Sequence, residues 1–421
     1  MQFDTLAAWL DWQQVAHPLA VDPGLERLGA VHRRLGLARP RTVLTIGGTN
    51  GKGSVAANLD AMLRAAGYET GLFTSPHLLR YHERIQVRGL EVTDAMLLAA
   101  FERIETVRGG VSLTFFEWNA LAALAVFAHE RVDAAILEVG MGGRLDAVNV
   151  LDADVAAVVS VGLDHREWLG ESVEQIGAEK AGIFRPDRPA IFGSRRMPVS
   201  VGRAAADCGA RLHRLGIDFD YVERPDGWDF IGLRSRRGDL PMPAIGGSMQ
   251  LANAATSLAV LEAAEPALLV PDEAVRTGLA QVHLAGRFQV VHRDHEWILD
   301  VAHNPDAARA LAASLEARCC HGRTIALCGI LADKDVDAII AALNPQVQEW
   351  VAVALEGPRA LPESELAARI AGRSGAPVAV AGSVVAGCDR AAAACGPQDR
   401  ILVFGSFHTV GPALRHLGLG A

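Results

Sequence analysis

Along the chain, short and nearly uninterrupted apolar runs alternate with longer stretches in which apolar residues return every three or four positions. The runs at 42–47, 70–75, 134–139 and 155–161 are rich in β-branched residues and predict strands, while the spacing at 52–66, 94–103, 117–129 and 173–182 predicts helices. Strands that are apolar on both faces and separated by helices belong to a parallel sheet covered on both sides. Residues 185–245 mix short strand signals with Gly and Pro and predict an irregular β-rich portion. Helical periodicity returns at 251–262 and 272–281. A second alternating series follows, with strands expected at 288–291, 297–300, 324–328, 350–354, 378–381 and 401–404. The small-residue hinge Leu284-Ala285-Gly286 separates the two series. The expected organisation is an α/β domain over 1–285 and a smaller α/β domain over 286–421.

The polar residues after the first run supply the first chemistry. Gly47-Gly48-Thr49-Asn50-Gly51-Lys52-Gly53-Ser54 joins a predicted strand to a predicted helix. Such a Gly-rich turn lets backbone N–H groups curl around phosphate oxygens. The helix adds its positive end, and Lys52 a mobile charge. The spacing departs from the common G-x-x-x-x-G-K-[ST] loop: three residues separate Gly47 from Gly51, and Gly53 stands between Lys52 and the hydroxyl of Ser54. Lysine and serine at these places fill chemical roles rather than turn roles, so the loop predicts a nucleotide site.

Composition narrows the class. The 421 residues exceed one ordinary core, and half of them are hydrophobic. A net charge of −9 gives no sign of a nucleic-acid partner. Six cysteines show no C-x-x-C pair and no metal-type spacing, which fits a reduced, cytoplasmic compartment. The N-terminus lacks a basic n-region, and no apolar run is long enough to span a bilayer. A soluble protein with no membrane partner is expected.

In open α/β sheets, ligands bind beyond the carboxyl ends of the strands. The second run ends at Thr74-Ser75-Pro76-His77, the third at Glu138, and the fourth runs into Asp164-His165. Ser75, Glu138 and His165 are therefore candidate Mg²⁺ ligands, since Mg²⁺ takes oxygen donors and keeps waters and phosphate oxygens. Taken singly, Ser75 also fits a turn residue, Glu138 a strand-end partner of Arg144, and His165 an ordinary loop histidine. Lys180, on an apolar helix, fits an exposed partner of Glu179 or Asp187. The sharper reading, which local sequence alone does not single out, is a desolvated amine able to take up CO₂ as a carbamate.

The ordered set Gly48–Ser54, Thr74–Leu78, Leu137–Asp146, Asp164-His165, Glu179–Gly182, Gly286-Arg287, Asp300–Pro305 and Gly405–Thr409 closely resembles the bacterial bifunctional dihydrofolate synthase/folylpolyglutamate synthases, relatives of the Mur ligases. The resemblance runs from about Val21 to His408. It implies a P-loop, parallel-sheet ATPase domain of Mur ligase type followed by a smaller Rossmann-like α/β domain. It also implies an ATP-dependent ligase that activates a carboxylate as an acyl phosphate and couples it to the amine of L-glutamate. By this resemblance Asn50, Gly51, Lys52, Gly53 and Ser54 hold the ATP phosphates, and Asn253, Arg287 and Asp300 complete the ATP site. Ser75, Glu138 and His165 bind Mg²⁺, Lys180 is a carbamylated lysine supporting a second ion, and His303 and Ser406 serve the incoming glutamate.

The same resemblance places 7,8-dihydropteroate against Val21-Asp22-Pro23, Thr114-Phe115-Phe116-Glu117 and Leu145-Asp146-Ala147. Aromatic rings stack on a flat pterin and a carboxylate pairs with its aminopyrimidine edge; core packing at a helix start is the other reading of Phe115 and Phe116. Pro23 departs from the leucine expected after the aspartate, fixing the backbone and removing an N–H. The implied substrates are 7,8-dihydropteroate, reduced folates, ATP and L-glutamate, on a protein with no feature that calls for more than a monomer. A monofunctional folylpolyglutamate synthase is the alternative, against which the 114–117 segment argues. A UDP-precursor ligase would need a longer N-terminal domain ahead of Gly47, and an NTPase switch or kinase would place Ser or Thr next to Lys52.

Overall fold

The first apolar run forms strand β1 (Thr42–Gly47), buried along its whole length. The structure, a computed structural model describing residues 3–419, builds a sheet around it from β2 (Thr70–Phe73), β3 (Ile85–Val87), β4 (Leu90–Glu91), β5 (Ala134–Glu138), β6 (Val155–Val158), β7 (Pro189–Phe192) and β8 (Arg211–Arg214). The strand order is β4-β3-β2-β5-β1-β6-β7-β8. From β2 to β8 every pairing is parallel, and the hairpin β3–β4 adds antiparallel to β2. The chain leaves β1 for β2, beyond β5 on one side, and later crosses from β5 to β6 on the other side of β1, so the loop after β1 stands at a topological switch point.

Alternation along β1 divides two cores. Val43 packs with helices Leu6–Val15, Glu26–Leu35, Asp94–Arg108 and Phe115–Glu130, whose Trp9, Leu28, Phe101 and Trp118 are buried. Leu44 and Ile46 face helices Lys52–Ala65, Gln250–Ala263 and Asp272–Gln281. The parallel sheet is thus covered on both faces, as the apolar runs predict.

Residues 185–245 differ from the expected irregular β-rich portion. Pro189–Phe192, helix Val199–Cys208 and Arg211–Arg214 continue the parallel sheet. Only then do β9 (Asp220–Arg224), β10 (Gly227–Ile231) and β11 (Arg236–Leu240) form a separate antiparallel sheet. The outermost strand β8 reads Arg-Leu-His-Arg and none of its residues is fully buried, so it has no apolar run to betray it.

A second compact unit comprises Leu78–Arg80, Ile245–Gln250 and the chain from His283 onward. Its strands β12 (Gln289–His292), β13 (Glu296–Asp300), β14 (Thr324–Cys328), β15 (Glu349–Val353), β16 (Val378–Ala381) and β17 (Arg400–Phe404) lie in the order β12-β13-β17-β14-β15-β16. All pair in parallel except β12, which runs antiparallel to β13. Ile298, Ala326, Trp350 and Leu402 bury against helices Pro305–Ala317, Val336–Leu343 and Glu363–Ala371. Leu299, Ile325, Val351 and Val403 bury against Val384–Ala394 and Phe407–His416. Among the described residues, no helix is long and apolar enough to cross a membrane.

Candidate active site

Beyond β1 the chain turns through Gly48 (φ +142°) and Gly51 (φ +88°) into the helix that begins at Lys52. A side chain at Gly51 would be strained by that φ, and its Cβ would lie 2.6 Å from Oδ1 of Asn253. The loop is laced to the segment after β6. Thr49 N donates to Ser160 O (2.8 Å) and Asn50 N to Ser160 Oγ (3.0 Å), while Ser160 Oγ donates back to Asn50 O (2.8 Å). Ser160 carries no sequence signal of this role; it is one serine at the end of an apolar run. Gly53 and Ser54 lie in the first turn of the helix, with Ser54 buried.

Lys52 folds back onto its own loop, its Nζ donating to Gly48 O (3.1 Å) and Thr49 O (3.4 Å). Lys180 reaches the same Gly48 carbonyl from helix Val173–Ala181, also at 3.1 Å. Lys180 is buried; that burial, reinforced by the Lys52 charge, pulls its pKa down to about 7 against the attraction of Asp164 and Asp146. The exposed-lysine reading does not hold. Glu179 pairs with Arg144 at 2.8 Å.

Glu138 ends β5, is buried, and accepts the backbone N–H of Ser75 at 3.1 Å. His165 lies past β6 with φ +50°, its N–H donating to the carboxylate of Asp164 at 2.9 Å. Ser75 and His165 therefore follow the carboxyl ends of β2 and β6, and Glu138 ends β5; β5 and β6 flank β1, and β2 lies beyond β5. Among the described residues no group of three or more His, Cys, Asp or Glu side chains makes a ready metal cage. The carboxylate and the hydroxyl suit Mg²⁺ and leave positions for phosphate oxygens and water, while the imidazole is the less usual donor for this ion.

Two of the segments implied for the pterin, 21–23 and 114–117, are joined through Arg27 at the start of helix Phe115–Glu130. Thr114 caps it, and Glu117 closes a capping box: Glu117 N donates to Thr114 Oγ1 (3.2 Å) and Thr114 N to Glu117 Oε2 (2.7 Å). Phe115 and Phe116 are half-buried. The Phe116 ring occupies the space a Cβ on Gly140 would need, 2.5 Å away, and lies 5.8 Å from the Phe73 ring. The guanidinium of Arg84 stands 5.6 Å over Phe115 and its Nε donates to His77 Nδ1 (2.7 Å).

Asp146 is buried and accepts from Met141 N (2.9 Å) and Val148 N (3.1 Å). Its burial raises the pKa to about 6 in spite of these bonds and the nearby Lys52. Leu145 is half-buried and Ala147 buried beside it. Val21 and Asp22 are half-buried and Pro23 is exposed. Arg27, which the sequence does not single out, ion-pairs Asp22 at 2.5 Å and Glu117 at 3.1 Å.

In the second unit, Asp300 ends β13 and accepts from Phe288 N (2.8 Å) and Ala302 N (2.7 Å). Enclosure raises its pKa, with the Arg287 charge opposing. Arg287 stacks 5.3 Å from the Phe407 ring, and the His303 ring lies 6.4 Å from the same phenylalanine. Ser406 caps helix Phe407–His416, accepting from His408 N at 3.1 Å, and Asn304 caps Pro305–Ala317. Arg287, Asp300, His303 and Ser406 thus gather at the carboxyl ends of β13 and β17, neighbours in the sheet.

Residues 46–193 match the Mur ligase middle domain, and residues 286–407 match the Mur ligase glutamate ligase domain. With a P-loop at the switch point and a Rossmann-like second sheet, the chain is a ligase of the Mur type, an ATP-dependent class. It is 43% identical to the dihydrofolate synthase/folylpolyglutamate synthase of Escherichia coli (strain K12), over 96% of this chain and 94% of that protein. The solved structure of E. coli FolC in complex with DHPP and ADP superposes with a TM-score of 0.94 at 42% identity, covering 99% of this chain and 98% of the other. A bifunctional folylpolyglutamate synthase/dihydrofolate synthase solved with Mn, AMPPNP and L-glutamate bound gives 0.92 at 42% identity, over 99% and 98%. The chain belongs to the dihydrofolate synthase/folylpolyglutamate synthase family.

Proposed function

We propose that the protein joins L-glutamate to 7,8-dihydropteroate, forming dihydrofolate, and to reduced folates, forming folylpolyglutamates, with ATP split to ADP and phosphate. The observation that carries this reading is the P-loop at the switch point with Ser75, Glu138 and His165 at the carboxyl ends of β2, β5 and β6, in a chain so close to bifunctional relatives along its whole length. A carboxylate is a poor electrophile; transfer of the γ-phosphoryl group to its oxygen creates a leaving group. The glutamate α-amine then forms the C–N bond, phosphate departs with the C–O bonding pair, and the amine loses a proton. Asn50 to Ser54 hold the ATP phosphates, and Lys52 neutralises charge on the transferred group. Ser75, Glu138 and His165 hold Mg²⁺, which when bound screens the phosphate charge. Asn253, Arg287 and Asp300 complete the nucleotide site, and His303 and Ser406 orient glutamate.

Lys180 fits the carbamate role on its chemistry. A pKa near 7 leaves much of the amine neutral at physiological pH. A neutral amine adds to CO₂ and releases one proton, giving an anionic oxygen ligand for a second ion. Carbon-13 NMR after exposure to labelled bicarbonate would reveal that carbamate, and the Lys180→Met variant would lack it. We assign 1–285 to ATP and pterin and 286–421 to glutamate, in a monomeric cytoplasmic enzyme. Six free cysteines fit such a reducing compartment.

The test is ADP release with Mg·ATP and L-glutamate, comparing 7,8-dihydropteroate, tetrahydrofolate and no pterin. Glutamate-dependent turnover with both pterins is expected. Turnover with tetrahydrofolate alone would remove the dihydropteroate activity.

A further inference from the structure

We infer that Arg27 is a positioning residue for pterin recognition, clamping Asp22 and Glu117 into a single acidic wall with one carboxylate oxygen left for the substrate. This rests on the ligase reading above. Asp22, Arg27 and Glu117 come from an N-terminal loop, the helix Glu26–Leu35 and the first turn of helix Phe115–Glu130. One guanidinium joins all three: Nη1 meets Asp22 Oδ2 at 2.5 Å, and Nη2 donates to Asp22 O and to Glu117 Oε1, each at 3.1 Å. His17 Nε2 approaches the same Asp22 Oδ2 at 3.4 Å.

The two carboxylates are left in different states. Glu117 is spent on the protein, with Oε1 on Arg27 and Oε2 on Thr114 N, and its side chain is only 6% exposed. Asp22 is 29% exposed, and its bonds to Arg27 and His17 fall on Oδ2. Oδ1 is therefore the oxygen available to a 2-amino or ring N–H donor of the pterin. Glu117 recognises nothing directly; it fixes the guanidinium that aims Asp22. A planar fork that holds two acceptors in fixed directions is a task for arginine, and lysine as a point charge performs it poorly. The two carboxylates outnumber the one guanidinium they share, which favours hydrogen-bond donors at this wall.

Steady-state kinetics on the full-length protein, with KM and kcat measured separately for 7,8-dihydropteroate, ATP and glutamate, tests the assignment. For Arg27→Ala, a rise of about 10- to 100-fold in the dihydropteroate KM is expected, with the ATP and glutamate KM values within about twofold. Arg27→Lys should recover only part of the loss. Asp22→Asn should raise the same KM, whereas Glu117→Gln, which keeps an acceptor for Thr114 N, should raise it less. A dihydropteroate KM within twofold of wild type in Arg27→Ala overturns the proposal. So does an equal rise in all three KM values, which marks general loosening of the fold. If Arg27→Ala is insoluble, Arg27→Lys carries the decision by the same ratio of KM values. Failure of the ligase reading looks different: wild-type protein would then release no glutamate-dependent ADP with dihydropteroate.

Discussion

Lys52 and Lys180 donate to the same oxygen, the Gly48 carbonyl, each at 3.1 Å. Lys180 is the buried member: loss of hydration disfavours its charge first, and repulsion by the Lys52 ammonium adds to that. The Lys180 pKa falls from 10.5 to about 7. Between those values the unfolded chain binds more protons than the folded one, so stability rises with pH across that window. Lys180→Met should abolish turnover. It should also raise the unfolding free energy at pH 7 by roughly 3 kcal/mol, after a lost hydrogen bond is subtracted. The gain should shrink toward zero as pH approaches 10.5. Chemical denaturation at several pH values would reveal this, and a gain independent of pH would contradict it.

Gly51→Ala should cripple nucleotide binding while leaving the fold standing. The residue has φ +88°, and an added Cβ would meet Asn253 and Val159 within 3 Å. A non-glycine residue there costs about 1–2 kcal/mol of stability. Displacement of the loop should weaken ADP by about tenfold or more, equivalent to at least ~1.4 kcal/mol, as measured by calorimetric titration.

Glu138→Gln retains an acceptor for the Ser75 N–H and removes only the charge. Melting temperature should stay close to wild type while kcat drops by roughly 10²-fold. Rising Mg²⁺ should restore part of the rate if the loss lies in metal affinity. A variant with near-wild-type kcat at low Mg²⁺ would exclude Glu138 as a ligand.

The cysteines should separate by reactivity. Cys319 is exposed and should react first with a thiol reagent, whereas Cys328 and Cys388 are buried and their thiols are pushed up to about 12. Peptide mapping after brief alkylation should find Cys319 modified, with Cys328 and Cys388 labelled only after unfolding.

The central strands and the P-loop were legible because each apolar run is long and ends at a glycine or a polar residue. The run ending at Gly47 matches β1 to the residue. The helix expected from Glu117 begins at Phe115, because Thr114 caps it and Glu117 occupies the third helical position. The edge strand Arg211–Arg214 was not legible, since a polar edge has no apolar pattern. Arg27 was hidden for another reason. Its partners lie five and ninety residues away, and only the fold brings an arginine from one helix to the first turn of another. Ser75, Glu138 and His165 were read as a group because alternating apolar strands and helices imply a parallel sheet whose carboxyl strand ends share one edge.

The double use of Glu117 limits how the protein can be redesigned. The same carboxylate starts a helix and holds the guanidinium behind the acidic wall, so replacing it to admit a different heterocycle would fray the scaffold at the same time. Asp22 and Pro23 carry no helix start and stand partly open to solvent. Libraries aimed at new substrates should therefore vary that loop and leave the helix start intact, where a gain in range would be offset by a loss of folded protein.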